Sequence, residues 1–203
     1  MNSRVFFAVT ACLCTFALHA TAAPTDAPRQ VIQQAMDEVL GVLKNKATPE
    51  ADRQKRIEEI AYARFDFERM AKLVLAKNYR TLSDAQKDGF TQEFKKHLSL
   101  TYGRRLDNYS NEKIDVGAAR EEKNGDVSVK TKIDGGSASG VEIEYRLRQD
   151  SGDWRVIDVI IENVSLIANF RSQVQDIIRS EGADKLIEKL HQKNAEKAET
   201  PTT

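Results

Sequence analysis

Few side chains in this sequence are equipped for chemistry. Among the three histidines, His19, His97 and His191, no two stand at the spacing by which a pair of imidazoles shares a metal ion. The two cysteines, Cys12 and Cys14, lie in an apolar run near the N-terminus, so no thiol further along is left to act as nucleophile or ligand. The run Gly135-Gly136-Ser137-Ala138-Ser139-Gly140 superficially resembles a nucleophile elbow or a phosphate loop. It has neither the Gly-x-Ser-x-Gly order nor the Lys-Ser/Thr ending, and it links two strand-like segments, so it reads as a hairpin turn. Asp66, Asp158 and Glu162 are the carboxylates worth naming. Asp158 sits among Val156, Ile157, Val159 and Ile160, where a carboxylate needs a partner or water. One role is general base in an enclosed cavity. The more economical role is structural, as the partner of an arginine (Arg64, Arg80 and Arg171 are candidates) or as a helix cap.

The elements that must position these groups follow from periodicity. Val31, Ile32, Ala35, Met36, Val39, Leu40 and Leu43 recur at steps of three and four, which predicts an amphipathic helix from Arg29 to Lys46. Thr48-Pro49-Glu50 reads as a second helix start with Thr48 as its cap. Phe65 to Val74 carries a third helical stripe. Ser83-Asp84-Ala85-Gln86 is a capping-box pattern that opens a fourth helix, along which Phe90, Phe94, Leu98, Tyr102, Leu106 and Tyr109 line one face.

After Ser110 the period becomes two. Ile114, Val116 and Ala118, then Val127, Val129 and Ile133, then Val141, Ile143, Tyr145 and Leu147 alternate with polar residues, the pattern of strands with one wet face. Asn124-Gly125, Gly135 to Gly140 and Ser151-Gly152-Asp153 mark turns, and Trp154 to Ile161 is apolar on both faces after Arg155, as a more central strand would be. Helical spacing returns from Val164 to Arg179 and again through Ala183, Leu186, Ile187 and Leu190. The predicted fold is α+β, with helices packed on one face of a curved, mainly antiparallel four-stranded sheet that encloses an apolar cavity.

Residues 1–23 have the layout of a cleaved secretory signal: Arg4, an apolar run from Val5 to Ala20 shorter than a bilayer-spanning helix, then Ala20-Thr21-Ala22. Residues 24–28 read as a flexible leader, 29–193 as one domain, and 194–203 as a disordered polar tail. Loss of Arg4 leaves 30 basic residues against 31 acidic ones, so no net field favours nucleic acid or an anionic membrane.

Phe65-Asp66-Phe67 with Met70-Ala71, the block from Leu82-Ser83 to Phe94, Tyr102, and above all Asp153-Trp154-Arg155-Val156-Ile157-Asp158-Val159 followed by Val164-Ser165-Leu166 and Asn169-Phe170-Arg171 resemble the MlaC family of toluene-tolerance auxiliary proteins. Two places depart from the family pattern. Asn163 stands where a Gly usually precedes the Val-Ser pair, and Leu75-Ala76 and Tyr79 replace a usual Leu-Gly and Trp. The resemblance implies a non-enzymatic periplasmic shuttle for phospholipid. Its partners would be an inner-membrane ABC transporter complex with an MCE-domain subunit and an outer-membrane lipoprotein complex, and its work would maintain outer-membrane lipid asymmetry. It implies no cofactor and no metal, only bound phospholipid as cargo, and a monomer is the simpler expectation. The alternatives are a periplasmic adaptor that binds protein alone, or a small cavity-fold enzyme using Asp158.

Carriage of a diacyl lipid agrees with the apolar pattern, because its two chains represent on the order of 25 kcal/mol of transfer free energy at about 0.8 kcal/mol per CH₂. The expected lining is Phe67, Met70, Val74, Phe90, Phe94, Leu98 and Tyr102 from helices, Val129, Ile143 and Tyr145 from strands, and Val164, Ile167 and Phe170 beyond them. Taken singly, each of these positions is more often plain core packing than ligand wall. Arg104 and Arg105 are most simply a solvated face, with a lipid phosphate at the cavity mouth as their functional alternative.

Overall fold

A computed structural model describes residues 26–103 and 111–199. The expected signal segment, Arg104 and Arg105, Leu106 and Tyr109 lie outside those residues. Helices come first: α1 (Asp26–Lys44), α2 (Glu50–Arg64), α3 (Phe67–Leu75), a 3-10 turn (Ala76–Arg80) and α4 (Asp84–Tyr102). Strands β1 (Lys113–Glu121), β2 (Val127–Asp134), β3 (Glu142–Asp150), β4 (Asp153–Ile161) and β5 (Val164–Ser165) follow, and α5 (Leu166–Glu181) and α6 (Ala183–Glu199) close the chain.

The sheet is an antiparallel meander in the order β1-β2-β3-β4-β5. It has five strands where four were expected, because Val164 and Ser165 pair with Ile161 and Ile160 before the helix begins. The reversal between β4 and β5 places Glu162 at φ 47° and Asn163 at φ 69°, both in the left-handed region that asparagine tolerates best. The free edge of β4 is also covered near its start, where Phe65 forms a parallel bridge to Val156 and the Asp66 N–H donates to the Val156 carbonyl at 2.9 Å.

Capping chemistry starts the helices. Asp66 accepts from the Arg69 N–H at 2.8 Å, and Ser83 and Gln86 complete the expected capping box. Ser165 caps α5 by accepting from the Ala168 N–H at 3.0 Å. In α2 the expectation fails: Pro49 holds the cap position with no side-chain bond, and Thr48 contributes its carbonyl, which accepts from Arg53.

α1 lies on the sheet across β1, β2 and β4, and α3 and α5 pack against β4. The principal neighbours of α4 are α6 and α3, so it forms a second helical layer behind those on the sheet. One apolar cluster spans both layers. It runs from Val129, Tyr145, Leu147 and Val156 through Ile32, Met70 and Val74 to Phe90, Phe94, Leu186 and Leu190.

Both predicted termini need correction. The leader is shorter than expected, since Asp26 already begins α1 and Pro28 is buried in its first turn. The tail expected to be disordered from Asn194 is helical through Glu199. Asn194 is wholly buried and bonds to α4, so a polar residue supplies the anchor that an apolar pattern would not reveal.

Candidate functional site: an apolar cluster between sheet and helices

The side chains predicted to line a cavity divide into three groups. Met70 and Val74 of α3, Phe90, Phe94 and Leu98 of α4, Val129 and Tyr145 of the sheet, and Ile167 of α5 are buried together in the one cluster. Phe67, Tyr102, Ile143 and Phe170 border it, half-buried. Val164 stands apart at 56% exposure, which corrects its assignment as lining: the tight reversal at Glu162-Asn163 turns it outward, and α5 starts only at Leu166.

Aromatic rings organise the helical half. Phe90 and Phe94 stack with centroids 5.7 Å apart, and the edge contact of Phe94 on Phe170 at 5.2 Å joins α4 to α5. Met70, Val74, Phe90, Phe94 and Val129 have no exposed surface at all. In this conformation they touch only protein, since a wall facing even a water-sized void would keep some accessible area. These five side chains are therefore packed against protein on every side.

One polar pair interrupts the apolar wall. Tyr145 is buried on the inner face of β3, and burial pushes its phenol up to about 12 against the opposing pull of a hydrogen bond with Thr131. Neutral at any physiological pH, this phenol acts here as a bulky packing group with one satisfied hydroxyl.

Asp158, the candidate general base, is 4% exposed and fully engaged. The Ser165 hydroxyl donates to one oxygen at 2.7 Å, the Ile167 N–H donates to the other at 3.2 Å, and Arg146 lies 3.9 Å away. It is a helix-start clamp between β4 and α5. None of the three arginines proposed as its partner fills that role. Arg64 pairs with Glu38, Arg171 donates to the Leu73 carbonyl, and the cation facing Asp158 is the cross-strand Arg146, which a one-strand pattern does not expose.

The other noteworthy concavity is a cleft of about 380 Å³ between α1 and α2. It is lined by Glu38, Asn45, Asp52, Arg53 and Arg56 among others, and by none of the predicted lining residues. Its wall mixes charged and polar side chains with Gly41, Val42 and Ile60, and it shares no residue with the apolar cluster. Among the described residues no group of acidic, histidine and cysteine side chains has a metal-binding arrangement, and no helix is long and apolar enough to cross a membrane.

Comparison with known proteins places this architecture. The chain is 29% identical over 178 residues to "Toluene tolerance protein ttg2D" of Pseudomonas putida, covering 85% of this chain and 81% of that one. It is 27% identical over 199 residues to "Intermembrane phospholipid transport system binding protein MlaC" of Haemophilus influenzae, covering 92% and 91% of the two chains. The solved structure of the phospholipid-binding protein from Ralstonia solanacearum in complex with a phospholipid superposes with a TM-score of 0.76. That match covers 85% of this chain and 99% of the other at 22% identity, a likeness of fold. The family described as MlaC protein matches residues 33–192, from the first turns of α1 to within α6, and the chain belongs to that family.

Proposed function

We propose that this chain is a periplasmic phospholipid carrier that shields acyl chains within the cluster joining sheet and helices. The observation that supports this most directly is the form of the cluster. A single apolar interior extends across two helical layers to the sheet, bordered by half-buried Phe67, Tyr102, Ile143 and Phe170 where chains would pass. Two relatives are named for toluene tolerance and for intermembrane phospholipid transport, and a protein of the same fold was solved with a phospholipid bound. Shuttling would run between an inner-membrane ABC transporter complex with an MCE-domain subunit and an outer-membrane lipoprotein complex. The expected signal segment supports delivery to the periplasm. A role for Asp158 as general base is disfavoured by the donors already holding both its oxygens.

Native mass spectrometry with lipid extraction, on protein taken from a periplasmic fraction without detergent, tests the proposal. A stoichiometric diacyl phospholipid released on denaturation is the expected result. Protein that stays free of lipid after incubation with phospholipid vesicles and the cognate membrane complexes would overturn it in favour of the adaptor.

A further inference from the structure

The contact between α2 and α4 lacks the close backbone approach that α4 makes with α6 and α3. Against α6 and α3, α4 has close backbone approach and apolar packing, to which α6 adds polar bridges such as His97–Asn194 and His191–Glu93. Against α2 it is joined by polar bridges. Ser99 donates its hydroxyl to Glu58, and Lys95 places its ammonium 3.4 Å above the ring of Tyr62 and 5.6 Å from that of Phe67. Beside the Glu58–Ser99 bridge lies a partly open pocket of about 60 Å³ lined by Gln54, Glu58, Ser99, Leu100 and Gly103.

The apolar residues of α2 do not hold it to the main cluster. Ile57 and Ile60 are buried, as are Ala35 and Leu43 of α1, yet all four stand outside the cluster that contains Met70, Phe90 and Phe94. Parting α2 from α4 therefore breaks exchangeable polar contacts before any side chain of the main cluster has to move. Phe67, at the base of the seam, bridges the two regions: it meets Tyr62 edge-on at 5.6 Å, stacks on Phe65 at 5.7 Å, and packs on the main cluster.

From this we infer that the α2–α4 seam is the port through which acyl chains of a diacyl phospholipid reach the apolar cluster, latched by Glu58–Ser99 and Tyr62–Lys95. The assignment rests on the carrier reading and adds the route to it. A chain entering here meets Phe67 first, then Met70 and Leu98. The latch residues act on loading and unloading rates, while the cluster sets how much lipid is held.

The test joins the seam covalently. No cysteine follows Cys14, so Glu58→Cys with Ser99→Cys introduces the only two thiols of the processed chain. Oxidation or a short bismaleimide links them, and mass confirms the link. Uptake of a fluorescent-tailed phospholipid from vesicles is then followed with the seam open and linked, and release is followed from protein linked after loading. Linking is expected to slow both by about tenfold or more, as closing a gate does when opening limits exchange. Uptake and release at the open rate in the linked protein would overturn the port. If the open form and the unaltered chain both fail to take up lipid, the carrier reading itself falls, and the port falls with it. Should the first pair impair folding, Tyr62→Cys with Lys95→Cys probes the same seam with the same readout.

Discussion

Nδ1 of His97 lies 2.8 Å from Oδ1 of Asn194, joining the middle of α4 to a helix 97 residues further along. The amide nitrogen of Asn194 donates to the Glu93 carbonyl at 2.9 Å and to the Glu93 carboxylate at 2.8 Å, so its oxygen faces the imidazole and Nδ1 carries the proton. With Asn194 wholly buried, its replacement strands the buried His97 Nδ1–H and removes one of the partners of Glu93, whose carboxylate keeps His191. Asn194→Ala is expected to cost about 2–3 kcal/mol, from unsatisfied partners in a dry interface, as a lower urea midpoint. Truncation after residue 193 should match it, whereas a dispensable tail would leave the midpoint unchanged.

The same histidine makes stability depend on pH. Burial lowers its folded pKa below the usual value of 6.5, the hydrogen bond with Asn194 opposes this, and Lys197 and Lys193 add to the lowering. The unfolded chain therefore takes up the proton first as pH falls. Stability from keeping His97 neutral is fully present above about pH 6.5 and is lost as pH drops through the folded pKa. Urea melts between pH 7.5 and 5 should show this decline, and His97→Gln should flatten it. An equally steep decline in the variant would place the titration elsewhere.

Asp158 gives a prediction that separates structure from catalysis. Its carboxylate fastens the first turn of α5 to β4 through Ser165 and Ile167, and Ser165 in turn caps Ala168. Asp158→Ala should cost about 2–3 kcal/mol, the loss of charge-assisted bonds at a buried helix start. Asp158→Asn keeps one acceptor and should cost less. Lipid bound per folded molecule, measured by extraction below the melting temperature, should remain at the unaltered value in both.

Ala76 occupies backbone built for glycine. Its φ of 49° and ψ of −121° lie where a Cβ is strained, at the junction of α3 and the 3-10 turn. A glycine fits that geometry without strain. Ala76→Gly is expected to stabilise by about 1 kcal/mol, relief of local strain exceeding the entropy glycine adds to the unfolded chain. A lower denaturation midpoint in the glycine variant would show that tertiary packing, not local conformation, dominates there.

Much of this fold is legible because burial leaves a period. The steps of four from Phe90 to Leu98 and the alternation from Val127 to Leu147 each mark one buried face, and Ser83 with Gln86 marks a helix start. What a period does not encode is the surface on the other side. The α4 stripe faces α3, α5 and α6 more than the sheet, and nothing in its spacing distinguishes those partners. Asn194 and Arg146 are not legible for a related reason: each matters through a partner distant in sequence, and neither interrupts a polar pattern. Val164 reads as helical in sequence because a two-residue strand precedes the start of α5 without breaking the helical spacing.

Packing and cargo binding can be separated at the cluster by adding bulk at its edge and at its centre. Ile143 is half-buried at the start of β3, opposite Thr131 and Ile161, so a larger ring there has open space on one side. Val129 lies two residues deeper in register and is completely enclosed. Ile143→Trp should leave the melting temperature nearly unchanged while reducing bound phospholipid, because the ring fills volume that acyl chains would occupy. Val129→Trp should instead destabilise the fold by about 1–3 kcal/mol or more through overpacking. If Ile143→Trp folded normally and carried lipid at the unaltered stoichiometry, Ile143 would be core rim with no part in the cargo site. The acyl chains would then have to lie nearer α3 and α4, where Leu98→Trp, at another edge of the same cluster, is the corresponding probe.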